Sequence, residues 1–450
     1  MTSKLATIAA VRFGLGPRPG ELAKIGNDPR GWLKQQLRPV TMRIASADGA
    51  TRLDEYYEAR GKGADEVAKM LRGQTREQFR DEAAKRTLAA VTSETPFLER
   101  WVQFWSNHFT VSVQRPVVLG LVVPFEDEAI RPYALGKFRD MLLAVARHPA
   151  MLLYLDNAAS VGPNSRAGIR RERGLNENFA RELLELHTLG VNGGYTQNDV
   201  RELAKILTGW TIPPRAARMG PLLAAGGEKA AFRFVPNVHE PGDKQLLGAT
   251  IRESGEREGL EALLFLSQHP ATANFIATKL VRHFVADTPP QSSVLAVAKV
   301  FRDTDGDLAA VAQALIDLPA AWDPPLSKVK TPNELVISAL RGIGATESPD
   351  VLRGAAGSLQ QLGQFPFTAP SPAGWSDESS SWIGPEAALL RVEWGLAFGT
   401  RAARVTEPGV LLANTIAPLA SKPTSFQIEH APSAAEAIAL LVASPEFQRR

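Results

Sequence analysis

Residues 95–112, TPFLERWVQFWSNHFTVS, decide the fold class of this chain. Four aromatic side chains and a histidine recur in the stretch at helical spacing: Phe97, Trp101, Phe104, Trp105 and His108. The spacing i, i+4, i+7, i+8, i+11 places them on one face of an α-helix. His108 is therefore either a hydrogen-bonded histidine of the core or a functional group, a general base or a ligand, with Asn107 beside it.

Helical patterns continue through most of the chain. The clearest helix start is Thr331-Pro-Asn-Glu334, which combines an N-cap threonine, a first-turn proline and a capping glutamate. Residues 211–250 break the pattern, and we expect a small β-hairpin within residues 231–250, around Pro241-Gly242-Asp243. Strands do not alternate with helices as in a doubly wound sheet. The sequence therefore predicts a mainly α fold, one large multi-helix unit with a long Pro/Ser-rich loop at residues 364–384.

The composition excludes several classes of protein. The 450 residues carry 51 basic and 48 acidic side chains, a net charge of +3 that is too small for a protein that coats nucleic acid. The cysteine count of 0 excludes disulfides, thiolate nucleophiles and cysteine–metal sites. Apolar runs stay well below the ~18–20 residues of a membrane span. The N-terminus lacks a secretory signal pattern, so we expect a soluble, cytoplasmic protein and leave export open.

The strongest candidate for chemistry is the segment NENFARELLELHTLG at residues 176–190. At 100° per residue, five polar side chains share one face of this helix, which we call the acidic face: Glu177, Asn178, Arg181, Glu182 and Glu185. Three carboxylates around one guanidinium could bind a divalent cation or divide acid and base roles between them. The alternative is a solvated face with ordinary i,i+4 ion pairs.

Three other places carry side chains suited to a site. Asp156 and Asn157 follow a helix and supply either a C-terminal turn or one more carboxylate near the acidic face. His239, in the segment HEPGDK, belongs either to a tight turn or to a metal or substrate contact. Trp375 and Trp382, in the Pro/Ser-rich loop, either stack on a sugar or anchor the loop in the core.

With these motifs, the chain resembles the bacterial family known as domain of unknown function 1800. The resemblance covers nearly the whole chain and rests on the segments RFGLG (12–16), WVQFWSNHF (101–109), PAMLLYLDN (149–157), NENFARELLELHTLG (176–190), YTQNDV (195–200), LTGW (207–210), HEPGDK (239–244), LG (247–248) and ASPEFQ (443–448). It implies one mainly helical domain over residues 1–450 rather than two unrelated domains.

The family name implies no reaction, so the resemblance indicates which residues could form a site but not which reaction they would catalyse. Those positions are the helix at 176–190, His108, Asp156 and His239. This chain departs from its relatives at two places. At the position of Glu240, members of the family look similar to one another and have aspartate. At the position of Ser106 many of them have histidine, so this chain lacks a second imidazole near His108. Members often carry export signals and occur beside sulfatase-like proteins, which implies such a protein as a partner.

Three hypotheses about function follow from these residues. The first is a hydrolase-type enzyme for a carbohydrate or an anionic ester, with Glu182 or Glu185 as general base and Arg181 holding a polar or anionic group. The second is a non-catalytic protein that binds or matures a partner, in which the polar network fixes helix packing. The third is haem binding, because residues 101–110 are faintly similar to the distal-side motif of animal-type haem peroxidases.

The candidate residues divide into two roles under the hydrolase hypothesis. The catalytic candidates are Glu177, Glu182, Glu185 and His108. The binding candidates are Asn178, Arg181, Asp156, Asn157, His239 and Trp375. The cofactor is unassigned, with a divalent metal ion as one alternative, and the ligand is a small molecule or a saccharide.

Overall fold

The computed structural model describes residues 4–39, 41–171, 174–212, 232–323 and 326–450. Helices form most of these ranges, which confirms the mainly α fold. The α-helices before the first strand are α1 Lys4–Ile8, α2 Glu21–Ile25, α3 Pro29–Lys34, α4 Gly49–Lys62, α5 Ala64–Arg72, α6 Gln74–Thr92, α7 Pro96–His108, α8 Val122–Phe125, α9 Phe138–Arg147, α10 Pro149–Tyr154, α11 Arg166–Arg171, α12 Asn178–Glu182 and α13 Gln197–Ile206.

A second series of α-helices follows the strands. It comprises α14 Glu256–Gln268, α15 Pro270–Phe284, α16 Gln291–Asp303, α17 Leu308–Asp317, α18 Pro332–Gly342, α19 Pro349–Gln361, α20 Pro385–Ala402, α21 Pro408–Thr415, α22 Lys422–Glu429, α23 Ala434–Ala443 and α24 Pro445–Gln448. The predicted capping box is present at the start of α18, where Thr331 Oγ1 accepts from Glu334 N and Glu334 Oε2 accepts from Thr331 N.

Helix α7 confirms the helix predicted from the aromatic spacing and lies at the centre of the main core. Trp101 and Trp105 on its apolar face are fully buried. The indole Nε1 of Trp101 donates to Ala134 O at 2.7 Å, so the ring is fixed in orientation as well as buried. Because the apolar face points into the core, the opposite face of α7 is left to contact other parts of the chain.

Several α-helices continue into wider or tighter turns. π-turns follow α1, α8 and α12 at Ala9–Phe13, Glu126–Ile130 and Leu183–His187. Short 3-10 turns occur at Pro116–Val118, Arg131–Tyr133, Asn157–Ala159, Pro236–Val238, Pro319–Ala321 and Ser379–Trp382. Within the segment 176–190, where one helix is expected, the α-helix covers only α12 and is followed by the π-turn Leu183–His187. A π-turn advances less than 100° per residue, so the angular positions assumed for the acidic face hold only as far as Glu182.

Short strands within the described ranges form two antiparallel pairs. Strand β1, Trp210–Thr211, pairs with β2, Arg233–Phe234, and β3, Lys244–Leu246, pairs with β4, Ala249–Ile251. The predicted hairpin therefore turns at Leu247-Gly248 instead of at Pro241-Gly242-Asp243. Leu247 has φ 52° and Gly248 has φ 81°. Positive φ at both positions is the requirement of a two-residue type I′ turn, and this places the turn.

The C-terminal helices have an apolar cluster of their own beside the main core. Its fully buried members include Leu335, Leu411, Ile438 and Phe447. Helices α20 and α23 pack against each other most closely at Gly399, where an added Cβ would lie 2.2 Å from Ala435 O. Only glycine allows that approach of two helix backbones.

Buried polar contacts join α18 to the N-terminal segment. Arg341 of α18 is fully buried and donates to Gly16 O at 2.6 Å and to Glu21 Oε2 at 3.0 Å.

The loop at residues 364–384 is irregular apart from the 3-10 turn Ser379–Trp382. In the ranges given above, the helices are too short or too polar for any of them to cross a bilayer. The organisation as one domain stays a prediction.

Candidate functional site

A cavity of about 100 Å³ lies where the polar face of α7 meets the start of α18, the end of α15 and the Pro/Ser-rich loop. We call it the Trp375 cavity. Its polar lining comprises Arg86, Arg100, Gln103, Ser106, Asn107, Thr110, His283, Thr331, Asn333, Glu334, Gln364, Ser376 and Asp377, and its aromatic lining comprises Phe365, Phe367 and Trp375. The cavity is therefore built from segments that are far apart in sequence.

Helix α7 supplies one wall of the cavity through side chains at helical spacing. Gln103, Ser106 and Asn107 lie at i, i+3 and i+4 of α7, opposite the aromatic face, and Thr110 lies just after the helix ends at His108. This polar stripe is visible in the sequence beside the aromatic stripe, and it is the one local signal that could have indicated the cavity. Ser106, a departure from the related family, lies in this wall.

A chain of buried charged groups forms the floor of the cavity. Arg100 lies 2.8 Å from Glu334 through Nη2 and donates to His283 Nε2 from Nε at 3.3 Å. His283 Nδ1 donates in turn to Asp377 Oδ1 at 2.5 Å. Arg450 donates from Nε to Glu334 Oε2 at 2.8 Å. Each charge on the floor thus has a partner of the opposite sign or a hydrogen-bonded imidazole.

The pKa shifts on the floor define the charge state at neutral pH. Burial lowers the pKa of His283 to about 4, so its imidazole is neutral with the proton on Nδ1. Burial alone would raise the pKa of Asp377, but the hydrogen bond from His283 and the charges of Lys279 and Arg450 hold it below its usual range. For Glu334, Arg450 and Arg100 likewise outweigh burial and lower the pKa to about 2. Both carboxyl groups are therefore ionised.

The Pro/Ser-rich loop is held over the cavity by a side chain of α7. Asn107 Oδ1 accepts from Trp375 N at 2.8 Å, and Asn107 Nδ2 donates to Trp375 O at 3.0 Å. Gly374, with φ +82°, packs so closely that an added Cβ would lie 2.6 Å from Asn107 O. Lys328 Nζ donates to Asp377 O at 2.6 Å on the other side of the loop. The loop therefore has a defined position without helix or strand hydrogen bonds.

Backbone strain occurs at the rim of the cavity. Phe367 has φ 60°, a conformation that a bulky residue rarely adopts and that costs of order 1–3 kcal/mol. Its carbonyl accepts from Val113 N at 3.0 Å, and the guanidinium of Arg86 lies 5.0 Å from its ring centroid. These contacts hold the Phe367 ring against the cavity despite the strain.

One buried donor in the cavity wall is unused. Gln103 Oε1 accepts from Asn333 Nδ2 at 3.0 Å. Gln103 Nε2 is buried and has no hydrogen-bond partner among the described residues. A buried amide donor without a partner costs about 1–3 kcal/mol, and because Gln103 lines the cavity, a small turn of its amide toward a ligand or a water molecule would recover that cost.

The acidic face lies on α12 and its π-turn, outside the lining of the Trp375 cavity. Glu177 accepts from Arg181 Nη2 at 3.0 Å, from Gln197 Nε2 at 2.7 Å and from Arg201 Nε at 3.2 Å. Asn178 begins the helix, and its backbone N donates to Asn176 Oδ1 at 2.9 Å. This end of the acidic face is a partly exposed network of ion pairs and amides.

Glu182 and Glu185 lie close enough to interact electrostatically, with two tyrosines near them. Burial and the charge of Glu185 raise the pKa of Glu182. Tyr195 Oη donates to Glu185 Oε2 at 3.4 Å, and burial followed by the charge of Glu185 raises the pKa of Tyr195. Burial raises the pKa of Tyr154, and the charge of Glu182 adds to the shift. The structure therefore brings the two glutamates together in a partly desolvated setting.

The remaining binding candidates on this side have local structural partners. Asp156 has φ 61° and pairs with Arg115 Nη1 at 2.6 Å. Asn157 is buried and donates from Nδ2 to Leu207 O at 3.1 Å and to Trp210 O at 3.0 Å. Asn157 thereby holds the start of β1, whereas Asp156 is partly exposed.

The two histidines singled out in the sequence are buried at separate places. His108 Nε2 donates to His187 O at 3.1 Å, and burial lowers the pKa of His108 well below its usual range. His239 lies 2.8 Å from Thr208 O through Nδ1 and 2.9 Å from Glu258 Oε1 through Nε2. Neither imidazole lines the Trp375 cavity. Of the catalytic and binding candidates from the sequence, Trp375 is in its lining, and so is Asn107, which the sequence places beside His108.

Side chains that could ligate a metal ion are dispersed over the described part of the chain. Across these residues, histidine, aspartate and glutamate do not converge in groups of three or more that could hold a metal ion. The divalent-ion and haem alternatives stay predictions from the sequence.

Comparison with known protein families gives a match over nearly the whole chain. A family model described as a protein of unknown function (DUF1800) matches residues 8–449. Neither the curated proteins nor the solved structures contain a match to the chain.

Proposed function

The chain belongs to the DUF1800 family, and we propose that it binds a neutral, hydroxyl-rich small molecule of the carbohydrate class in the Trp375 cavity. One observation carries the proposal: aromatic rings, side-chain amides and an unpartnered amide donor line a single cavity whose charges are already paired. Concave sites with apolar walls and a few fixed polar groups are the usual form of small-molecule sites.

The pairing of charges favours a neutral ligand over an anionic ester. Arg100 is paired with Glu334, and Arg86 donates to Glu126 Oε2 at 2.7 Å. An anion would have to compete with these buried carboxylates for the same guanidinium groups. A hydroxyl group, in contrast, can both donate and accept, and it can meet Gln103 Nε2 without displacing an ion pair.

The aromatic residues suit the apolar face of a sugar ring. Trp375 is partly exposed, and its ring centroid lies 5.9 Å from that of Trp382. Asn107 fixes the backbone of Trp375, which reduces the entropy lost when a ligand stacks on the indole. A cavity of about 100 Å³ is smaller than a drug-sized pocket, so we expect one sugar unit, such as the end of a longer chain.

The charge state of the cavity supports binding rather than hydrolysis there. Glycoside hydrolysis uses one protonated carboxylic acid and one carboxylate. The pKa of Glu334 is about 2 and that of Asp377 is also lowered, so both groups are ionised at neutral pH. His283, the nearest imidazole, already accepts from Arg100 and donates to Asp377.

The test is glycan binding by matched tryptophan variants. The purified chain is screened on a glycan array, and a sugar that binds is titrated by calorimetry against Trp375→Ala and Trp382→Ala. We expect Trp375→Ala to weaken binding at least about tenfold and Trp382→Ala to weaken it much less. Absence of glycan binding by the unmodified chain, or equal affinity of Trp375→Ala, would overturn the proposal.

A second candidate function is hydrolysis at the acidic face. It is favoured by the raised pKa of Glu182, which burial and the neighbouring charge of Glu185 cause, because a carboxyl group that is more easily protonated is suited to proton transfer. In this function Glu182 or Glu185 is the general base, and Arg181 holds a polar or anionic group of the substrate. Unchanged turnover of Glu182→Gln and Glu185→Gln on an identified substrate would refute these roles.

The partner and the location stay predictions from the sequence. Cell fractionation tests the cytoplasmic location, and export to the periplasm would contradict it. Co-purification from the native cell tests the sulfatase-like partner, and the partner prediction fails if such a protein does not accompany the chain.

A further inference from the structure

The C-terminal helices carry much of the exposed apolar surface of this chain. Among the described residues, more than half of the large apolar side chains that are exposed lie between Ile383 and Leu440. Single apolar side chains are normal on a protein surface, whereas a concentration of them on neighbouring helices is typical of a binding surface. This surface lies outside the lining of the Trp375 cavity, so it is separate from the proposed sugar site.

Three of these side chains form a row along α20. Leu389, Val392 and Leu396 are 60%, 49% and 51% exposed, and they lie at i, i+3 and i+7 of the helix. We call them the α20 stripe. This is the spacing of the a, d and a positions of a heptad, which form a narrow apolar seam against one partner helix. The stripe is therefore suited to packing against another helix.

The other face of α20 is already used by the core. Trp394 and Phe398 are buried in the C-terminal apolar cluster. At Gly395, an added Cβ would lie 3.3 Å from Val442 Cγ2 of α23. Leu440 of α23 is 40% exposed and extends the apolar surface onto that helix. Because the core and α23 hold α20 by this face, the stripe stays on the outside of the described structure.

The exposed charges of α20 are divided between its two halves. Glu386 and Glu393 lie in the N-terminal half, whereas Arg401 is in the last turn and Arg404 follows the helix. Within the described ranges, these four side chains form no ion pairs. The helix dipole favours an acid in the first turn and a base in the last turn, but its effect does not reach Glu393 at mid-helix. The unpaired charges therefore also suit a partner helix of opposite polarity.

We propose that the α20 stripe is the interface of a homodimer, in which α20 of a second copy packs antiparallel to it. The partner must be a helix with an apolar seam and with its acidic and basic ends reversed, and α20 of a second copy meets both requirements. A two-fold axis perpendicular to the helices makes the pair antiparallel and the interface self-complementary. It also brings the acidic half of each α20 toward the basic end of the other, whereas a parallel pair would align like charges.

The test is the mass of the intact chain in solution, measured by sedimentation equilibrium over a range of protein concentrations. We expect a dimer that dissociates on dilution. Leu396→Glu brings a charge from each copy into the seam and should raise the dimer dissociation constant at least about tenfold. Leu295→Glu on α16 is the matched control, because Leu295 is also a helical leucine that is 51% exposed, and it should leave the dissociation constant unchanged. Circular dichroism checks that both variants keep their helices.

Charge reversal tests the antiparallel arrangement. Glu386→Arg and Arg404→Glu should each weaken the dimer about threefold to tenfold, because exposed ion pairs are weak and each change occurs twice in the dimer. The double variant should recover most of the affinity, since opposite charges meet again. Recovery is not expected if the helices are parallel, and its absence would overturn the antiparallel pair.

Two results would overturn the homodimer itself. One is an unmodified chain that is monomeric at every concentration, which would leave the stripe to a different protein or to a lipid surface. The other is a dimer that Leu396→Glu does not weaken, which would place the interface elsewhere. The mass measurement uses no sugar, so its outcome is independent of glycan binding at Trp375.

Discussion

The side-chain amide of Asn107 forms two hydrogen bonds with the backbone of Trp375, 268 residues further along the chain. The amide thus gives the backbone of Trp375 the two hydrogen bonds that a neighbouring strand would give it in a β-sheet. Asn107 is next to His108, which the sequence singles out, but it points to the other side of α7. The contact explains how a long loop without regular structure can hold an indole in a fixed place.

Removing this amide should loosen the loop. Asn107→Ala deletes both hydrogen bonds to Trp375, each worth about 0.5–1.5 kcal/mol, so we expect the unfolding free energy to fall by about 1–3 kcal/mol. Sugar affinity should also fall, since the indole is no longer fixed. Urea unfolding and calorimetry measure the two effects. Asn274→Ala on the exposed surface of α15 is the matched control; it should leave sugar affinity unchanged and should not lower stability, because alanine favours a helix more than asparagine does. Equal stability of the two variants would contradict this account of the loop.

The close approach of Gly374 to Asn107 predicts a collision for any side chain. Gly374→Ala introduces a Cβ 2.6 Å from Asn107 O and also strains a residue with φ +82°. Gly363→Ala is the matched control, because Gly363 has φ +79° and an added Cβ there meets nothing within 4 Å. The control carries the backbone cost of about 1 kcal/mol, and Gly374→Ala should lose at least about 1 kcal/mol more. Thermal unfolding measures both, and a similar loss in the two variants would rule out the collision.

Acid should destabilise the protein through the floor of the cavity. Glu334 has a folded-state pKa of about 2, below its unfolded value, because Arg450 and Arg100 outweigh burial. A depressed carboxyl pKa gives stability that is present above the unfolded pKa and lost as pH falls through the folded pKa. We expect Glu334 to account for about 3 kcal/mol of the stability lost between about pH 5 and pH 2.

The Glu334→Gln variant isolates this contribution. Removing one partner from a buried ion pair costs about 3–5 kcal/mol, so the variant should be less stable at pH 7. Its stability should then fall less steeply between pH 5 and pH 2 than that of the unmodified chain. The exposed Glu429→Gln serves as control and should keep the original pH dependence. Parallel curves for Glu334→Gln and the unmodified protein would disprove the role given to Glu334.

The acidic face should respond in the opposite sense. Burial and Glu185 raise the pKa of Glu182, so its charge destabilises the folded state at neutral pH. A raised carboxyl pKa contributes stability below the unfolded pKa that is lost as pH rises through the folded pKa. Glu182→Gln should therefore raise the unfolding midpoint slightly at pH 7 and have little effect at pH 3. A lower midpoint at pH 7 would mean that the charge of Glu182 is stabilised by partners.

Local periodicity allowed the helices to be predicted well. The aromatic spacing predicted α7, and the Thr331 capping box predicted the start of α18, because both signals depend on residues within one or two turns. The same logic grouped Glu182 with Glu185. Periodicity could not predict the π-turn Leu183–His187, because no local sequence pattern marks the place where a helix gains an extra residue per turn.

The hairpin shows a similar division between local and distant information. Residues 231–250 have the alternation of strands, and a hairpin is present at Lys244–Ile251. The strand Arg233–Phe234, however, pairs with Trp210–Thr211, which lies earlier in the chain and outside the predicted hairpin. Pairing partners depend on which backbones meet in space, and two-residue strands carry too little pattern to specify that.

By itself, the sequence determined the helical class, the family, the apolar face of α7 and the clustering of acids on one helix, because each follows from neighbouring residues or from motifs along the chain. The tertiary structure alone decided that Trp375, Gln103, Asn333 and Asp377 share a cavity and that Arg100 and Arg450 meet Glu334. Those contacts join segments separated by hundreds of residues. They exist because buried charges and amides must find partners once the core closes, and one-dimensional spacing does not record which partners they find.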